Sequence, residues 1–293
     1  MALQIGAAII AKQNNNVQLP DPEAIAAIEL PLLLEAMVQR YGYDFRDYAV
    51  ASLKRRLRRA MAEEGLRTLS AFQDRVLHDP MCMARFLDIV SVDFSAMFRD
   101  PTDYKVLREK VVPGLRSLPL IRIWHAGCAG GEEVHSMVIL LHEEGLLART
   151  RFYATDINER VLERGRSAIY PINLMREYTA NYQKAGGKEQ FSDYYTAKHA
   201  SVILRDLGRG NIVWAVHNLV TDASFNEFHV VLCRNVMIYF NRQLQARVHR
   251  LIYDSLALGG VLWLGSAESL HATPCEDRYE AVGQAENLYR RVR

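Results

Sequence analysis

Between Pro22 and Val90 apolar residues recur at steps of three and four. Leu53, Leu57 and Met61 fall on one face of an amphipathic helix by this spacing. Lys54, Arg55, Arg56, Arg58 and Arg59 crowd the same helix. Gly42, Gly65 and the Asp79-Pro80 pair divide the region into three or four short helices. No β-rich run interrupts them, and short amphipathic helices of this kind pack as a small bundle.

From about Leu118 the pattern changes to short apolar runs separated by helical stretches. Residues 120–124, 151–155, 212–216, 228–233 and 260–264 read as strands, while 132–144 and 243–256 read as helices, with another through Val161 and Leu162. Strands alternating with helices predict an α/β fold, a parallel doubly wound sheet covered on both faces. Its ligand is expected beyond the carboxyl ends of the strands. The stretch 170–211 is too long for a simple connection and contains Gly186-Gly187 with Tyr178, Tyr182, Tyr194 and Tyr195. An insertion of that size carries its own small structure and often serves binding.

Composition narrows the class. The chain has 293 residues, 49% hydrophobic and 24% charged, with a net charge of +2, which fits an ordinary globular protein and not a polyelectrolyte binder. The four cysteines (Cys82, Cys128, Cys233, Cys275) are scattered without a CxxC pair, against a disulfide framework or thiolate zinc site and in keeping with a cytoplasmic location. The nine histidines lack metal-site spacing, so no metal is expected. The apolar stretch near the N-terminus has no basic region before it and is ended by Lys12 and three asparagines. No run of about 20 apolar residues occurs, so no membrane insertion is expected.

Residues 124–133, Trp-His-Ala-Gly-Cys-Ala-Gly-Gly-Glu-Glu, carry the most chemistry. Gly127, Gly130 and Gly131 follow a strand and open a helix, allowing close approach of backbone to a ligand. The spacing is not that of a dinucleotide-binding loop. Glu132 and Glu133 stand where a pyrophosphate would sit, and two carboxylates repel an anion. They suit a ligand bearing a sulfonium and an ammonium, as S-adenosylmethionine does. Asp156, ending the second strand, is placed for the ribose hydroxyls of an adenosyl group. The residues alone also allow Glu132 and Glu133 as partners of a helix dipole, and Asp156 as an N-cap.

Five segments occur in the order found in the CheR-type methyltransferases. They are Ser95-Ala-Met-Phe-Arg99-Asp-Pro, Ala126-Gly-Cys-Ala-Gly-Gly-Glu-Glu133, Ala154-Thr-Asp156, His217-Asn-Leu219 and Cys233-Arg-Asn-Val-Met-Ile-Tyr-Phe240. The chain resembles that family of chemoreceptor protein-glutamate O-methyltransferases from Pro22 to Arg293. The resemblance implies a flexible segment 1–21, an all-α domain 22–90, a linker 91–118 contributing to the active site, and a Rossmann-like methyltransferase domain 119–293. The insertion 170–211 stands where the family carries a small β-subdomain.

The resemblance also implies roles. Asp93, Ser95 and Arg99 match linker residues that touch cofactor and substrate. Glu133 and Asp156 match acidic contacts to the methionine and ribose parts of S-adenosylmethionine, whose product is S-adenosylhomocysteine. Asn218, Leu219, Arg234 and Asn235 match adenosyl-site residues, and Arg99 with Tyr239 matches the pair facing the acceptor carboxylate. The family usually has Asn and Thr where this chain has Asp93 and Ser95. It also opens the helix Glu-Glu-Pro-Tyr-Ser, where this chain reads Glu-Glu-Val-His-Ser.

The implied partner is the helical methylation region of a chemoreceptor-type protein, approached by Lys54, Arg55, Arg58 and Arg59 on a monomer. Nucleic acid is not expected, because the basic helix lacks interleaved aromatics. Two other readings stay open: an idle homologue serving as a signalling scaffold, prompted by Asp93, and a nucleic-acid methyltransferase using helix 53–61.

Overall fold

The computed structural model describes residues 21–91, 95–208, 210–271, 273–283 and 287–293. The expected flexible segment 1–21 thus lies outside the described residues except for Asp21, and so does Asp93.

Four helices come first. Helix α1 (Pro22–Tyr41) starts where the Asp21 side chain accepts from the Glu23 N–H and ends at Gly42, whose φ of 76° closes the helix onto the Val38 carbonyl. Helices α2 (Val50–Glu63), α3 (Leu69–His78) and α4 (Pro80–Val90) follow, with Asp79 capping α4 and Pro80 in its first turn. Leu53 and Leu57 of α2 are buried as the spacing predicts. Arg56 departs from the basic cluster, since it is buried while Lys54, Arg55, Arg58 and Arg59 are exposed. Within the linker, α5 (Pro101–Val106), a π-helical turn (Leu107–Val111) and α6 (Val112–Leu115) run as one helical arm.

The second half holds β1 (Ile121–Ala126), α7 (Glu132–Glu143), β2 (Thr150–Asp156) and α8 (Glu159–Ser167). An insertion follows with β3 (Ile169–Pro171), α9 (Met175–Lys184), β4 (Tyr195–Lys198) and β5 (Ser201–Leu204), forming a separate three-stranded antiparallel sheet. The chain returns through β6 (Ile212–Val216), β7 (Phe228–Cys233), α10 (Arg242–Ser255), β8 (Leu256–Leu264), β9 (Tyr279–Ala281) and β10 (Leu288–Arg291). The main sheet has the order β6-β2-β1-β7-β8-β10-β9. Its first five strands are parallel and β10 is antiparallel to both neighbours, so the sheet is mixed where the sequence predicts a parallel one.

Alternation along the central strands splits the core. Ile121, Ile123, Val230, Leu232, Val261 and Trp263 face α7, the linker arm and the insertion. Trp124, Val231, Cys233, Leu262 and Leu264 face α10 and the N-terminal helices. Tyr178, Tyr182 and Tyr194 are buried in the insertion and do not form an exposed binding face. The hydroxyls of Tyr182 and Tyr194 both donate to the buried carboxylate of Glu143 on α7, which fastens the insertion to the main sheet.

Candidate functional site

A cavity opens at the carboxyl ends of the parallel strands, and the glycine turn after β1 forms one wall. Gly127 has a φ of +78°, and a Cβ there would lie 2.5 Å from Val236 Cγ2. The Gly127 and Cys128 N–H groups donate to the Thr155 carbonyl at 2.8 and 2.9 Å, tying the turn to β2. Gly131, at φ +84°, starts α7 against Gly165, whose Cα would stand 2.8 Å from an added Cβ.

Asp156 ends β2 beneath this turn. Its oxygens accept from the Ala129 N–H at 3.1 Å and the Asn158 N–H at 3.0 Å. Burial pushes its carboxyl above the usual range despite those bonds. The cap of α8 is Asn158, which accepts from the Arg160 N–H, so the N-cap alternative for Asp156 falls away.

The paired glutamates part company. Glu133 lines the cavity, with Oε1 2.8 Å from His125 Nδ1 and Oε2 3.2 Å from Arg234 Nη1. Burial would raise its pKa, but the hydrogen bond from His125 and the charge and hydrogen bond of Arg234 outweigh that and hold it below the ordinary value. Glu132 turns away from the cavity, is 6% exposed, and has its pKa pushed up to about 7 by burial.

Nearly every other residue singled out from the sequence meets the same cavity. Ser95 and Arg99 enter from the linker, Asn218 and Leu219 from the segment after β6, and Arg234, Asn235 and Tyr239 from the segment after β7. Arg234 is buried, donates to Asp100 Oδ2 at 2.8 Å and to the Arg99 carbonyl at 3.0 Å, and lies 4.3 Å over the Trp263 ring. Asn235 sits at a φ of 61°, and its N–H donates to Glu268 at 2.8 Å. Lys54, Arg55, Arg58 and Arg59 do not reach the cavity; they form an exposed face of α2.

Several residues escaped the sequence reading. Arg56 stacks 4.0 Å over the Tyr239 ring, and Tyr48 lines the cavity beside it. Their signal was available, since Arg56 stands three residues beyond Leu53 and shares its inward face. Glu268 accepts from the N–H groups of Asn235, Val236, Met237, Ile238 and Gly265, bracing the whole segment after β7. No local pattern marks it.

The lining suits S-adenosylmethionine. An ionised carboxylate, Glu133, stands ready for an ammonium, and Asp156 retains acceptor capacity for ribose hydroxyls. His217 on the wall keeps Nδ1 buried without a partner, a polar atom that a ligand can satisfy. Among the described residues no group of three His, Cys, Asp or Glu could hold a metal ion, and no helix is long and apolar enough to cross a membrane.

Comparison with known proteins gives the family. Residues 28–91 match the CheR methyltransferase all-alpha domain, and residues 93–286 match the CheR methyltransferase SAM binding domain. The chain is 47% identical to Cher3 of Pseudomonas putida, a proposed methyltransferase, over 90% of this chain and 97% of that one. It is 27% identical to a chemotaxis protein methyltransferase of Listeria innocua, over 78% and 85% of the two chains. Among solved structures, the N-methyltransferase NodS of Bradyrhizobium japonicum overlaps 71% of this chain and 97% of its own at 15% identity and a TM-score of 0.38, a likeness too slight to carry weight. The chain belongs to the CheR methyltransferase family, with an all-α domain preceding its S-adenosylmethionine-binding domain.

Proposed function

We propose that the protein methylates glutamate side chains on the helical methylation region of a chemoreceptor-type protein, releasing S-adenosylhomocysteine. The observation that carries this reading is the meeting of Glu133 and Asp156 with Arg99 and Tyr239 in one cavity. S-adenosylmethionine supplies a methyl group on a sulfonium. Glu133 and Asp156 hold the amino and ribose groups, and Asn218, Leu219, Arg234 and Asn235 wall the adenosyl side.

Arg99 orients the acceptor carboxylate, and Tyr239 donates a hydrogen bond to it beneath the Arg56 guanidinium. The acceptor needs no general base, since a glutamate of pKa about 4.3 is ionised at neutral pH. The chain's contribution is therefore alignment and exclusion of water. Lys54, Arg55, Arg58 and Arg59 steer acidic receptor helices toward the opening.

The test is incubation with methyl-labelled S-adenosylmethionine and a receptor cytoplasmic fragment. Base-labile label on the fragment supports the reading. Base-stable label, or label on nucleic acid, sinks it.

A further inference from the structure

A buried imidazole lies beneath the cavity. His125 occupies β1 between β2 and β7, in register with Ala154 and Leu232, and is 0% exposed. Parallel strands covered on both faces are built from aliphatic residues, and Ile121 and Ile123 on the same face of β1 follow that rule. An imidazole in such a place needs hydrogen bonds to offset its desolvation. Only one ring nitrogen has one: Nδ1 lies 2.8 Å from Glu133 Oε1, while Nε2 is buried without a partner. A carboxylate oxygen only accepts, so Nδ1 carries the hydrogen. An aliphatic side chain would fill the site without leaving Nε2 unmet, so packing does not account for a histidine. The contact with Glu133 does.

We propose that His125 is a positioning residue that fixes the Glu133 carboxylate for the amino group of the cofactor. The proposal rests on the reading of Glu133 as the contact to the amino-acid end. Arg234 alone cannot set that carboxylate, because it holds only Oε2, at 3.2 Å, and is committed to Asp100 and the Arg99 carbonyl. With Oε1 free, the carboxylate would turn about its last bond. His125, which does not itself line the cavity, stops that rotation and leaves the other lone pairs of Glu133 for the ligand. Outer partners of this kind raise affinity by holding a ligating group in its bound orientation before the ligand arrives.

The test is calorimetric titration of the full chain with two ligands, S-adenosylhomocysteine and 5′-methylthioadenosine, which lacks the amino-acid end. His125→Leu should melt within a few degrees of wild type and bind S-adenosylhomocysteine about tenfold more weakly, with methylthioadenosine binding unchanged. His125→Asn, whose amide can donate near the Nδ1 position, should recover affinity to within about threefold. His125→Val serves the same purpose if the leucine variant does not fold. Retained affinity for S-adenosylhomocysteine in the aliphatic variant overturns the proposal, as does an equal loss for both ligands. A wild type that binds the two ligands equally well overturns instead the role of Glu133 on which the proposal rests.

Discussion

Glu132 and Glu133 are adjacent, yet α7 sends one into the core and the other to the cavity, and burial acts on them in opposite company. Glu133 meets two donors and stays ionised, whereas Glu132 has an oxygen with no partner and a pKa near 7. Linkage gives the sign. A carboxyl whose folded pKa exceeds its unfolded value of about 4.5 contributes stability that is complete below that value and is lost as pH rises through 7. The full amount is about 3 kcal/mol. Glu132→Gln should therefore raise the melting temperature above wild type at pH 8, with the gain shrinking toward pH 5; a pH-independent difference would refute the cause. At the same scale, Arg99→Ala should lower kcat about a hundredfold and change the affinity for S-adenosylmethionine by less than about threefold. Steady-state kinetics beside calorimetry separate the two, and equal losses would assign Arg99 to the cofactor.

At the scale of elements, the segment from Arg234 to Phe240 is held by one side chain from another loop. Glu268→Ala removes the acceptor of five N–H groups and should destabilise the protein by about 3 kcal/mol, lowering cofactor affinity and turnover together. A melt combined with ligand titration checks it. This brace was illegible beforehand because it joins backbone groups to a carboxylate some thirty positions away. What was legible followed from period and punctuation: β6, β7 and the start of α7 lie where the apolar runs and the Gly-Gly-Glu-Glu turn put them. The linker arm was hidden by Pro113 and Gly114, which break its helical pattern, and by its π turn. β10 was hidden because Leu-Tyr-Arg-Arg has too little apolar contrast, and β8 begins earlier than expected because Gly259-Gly260 reads as a turn. Of the site, the glycines, Glu133 and Asp156 spoke through local chemistry, whereas His125 and Glu268 act through partners that only folding brings near.

Across the whole molecule, the cavity is lined both by Tyr48 and Val90 of the N-terminal helical region and by the segment carrying Tyr239. Exchanging Lys54, Arg55, Arg58 and Arg59 for alanine should raise the KM for a receptor fragment about tenfold at low salt and flatten its dependence on ionic strength. Cofactor affinity should hold. Loss of cofactor binding in that variant would mean the charges act on the fold.

The helices and the sheet also share one apolar layer, from Leu33 and Phe86 to Leu262 and Leu264. A β-bridge joins Tyr48 to Phe240, and Asn241 bonds to Asp47 across 194 positions. Contacts so distant in sequence form late, after a large loop has closed. On the ribosome the helices emerge first, and the sheet face that covers them is completed only when β7 and β8 have followed. Until then the nascent chain displays the apolar side of its helices, a surface for chaperones to hold.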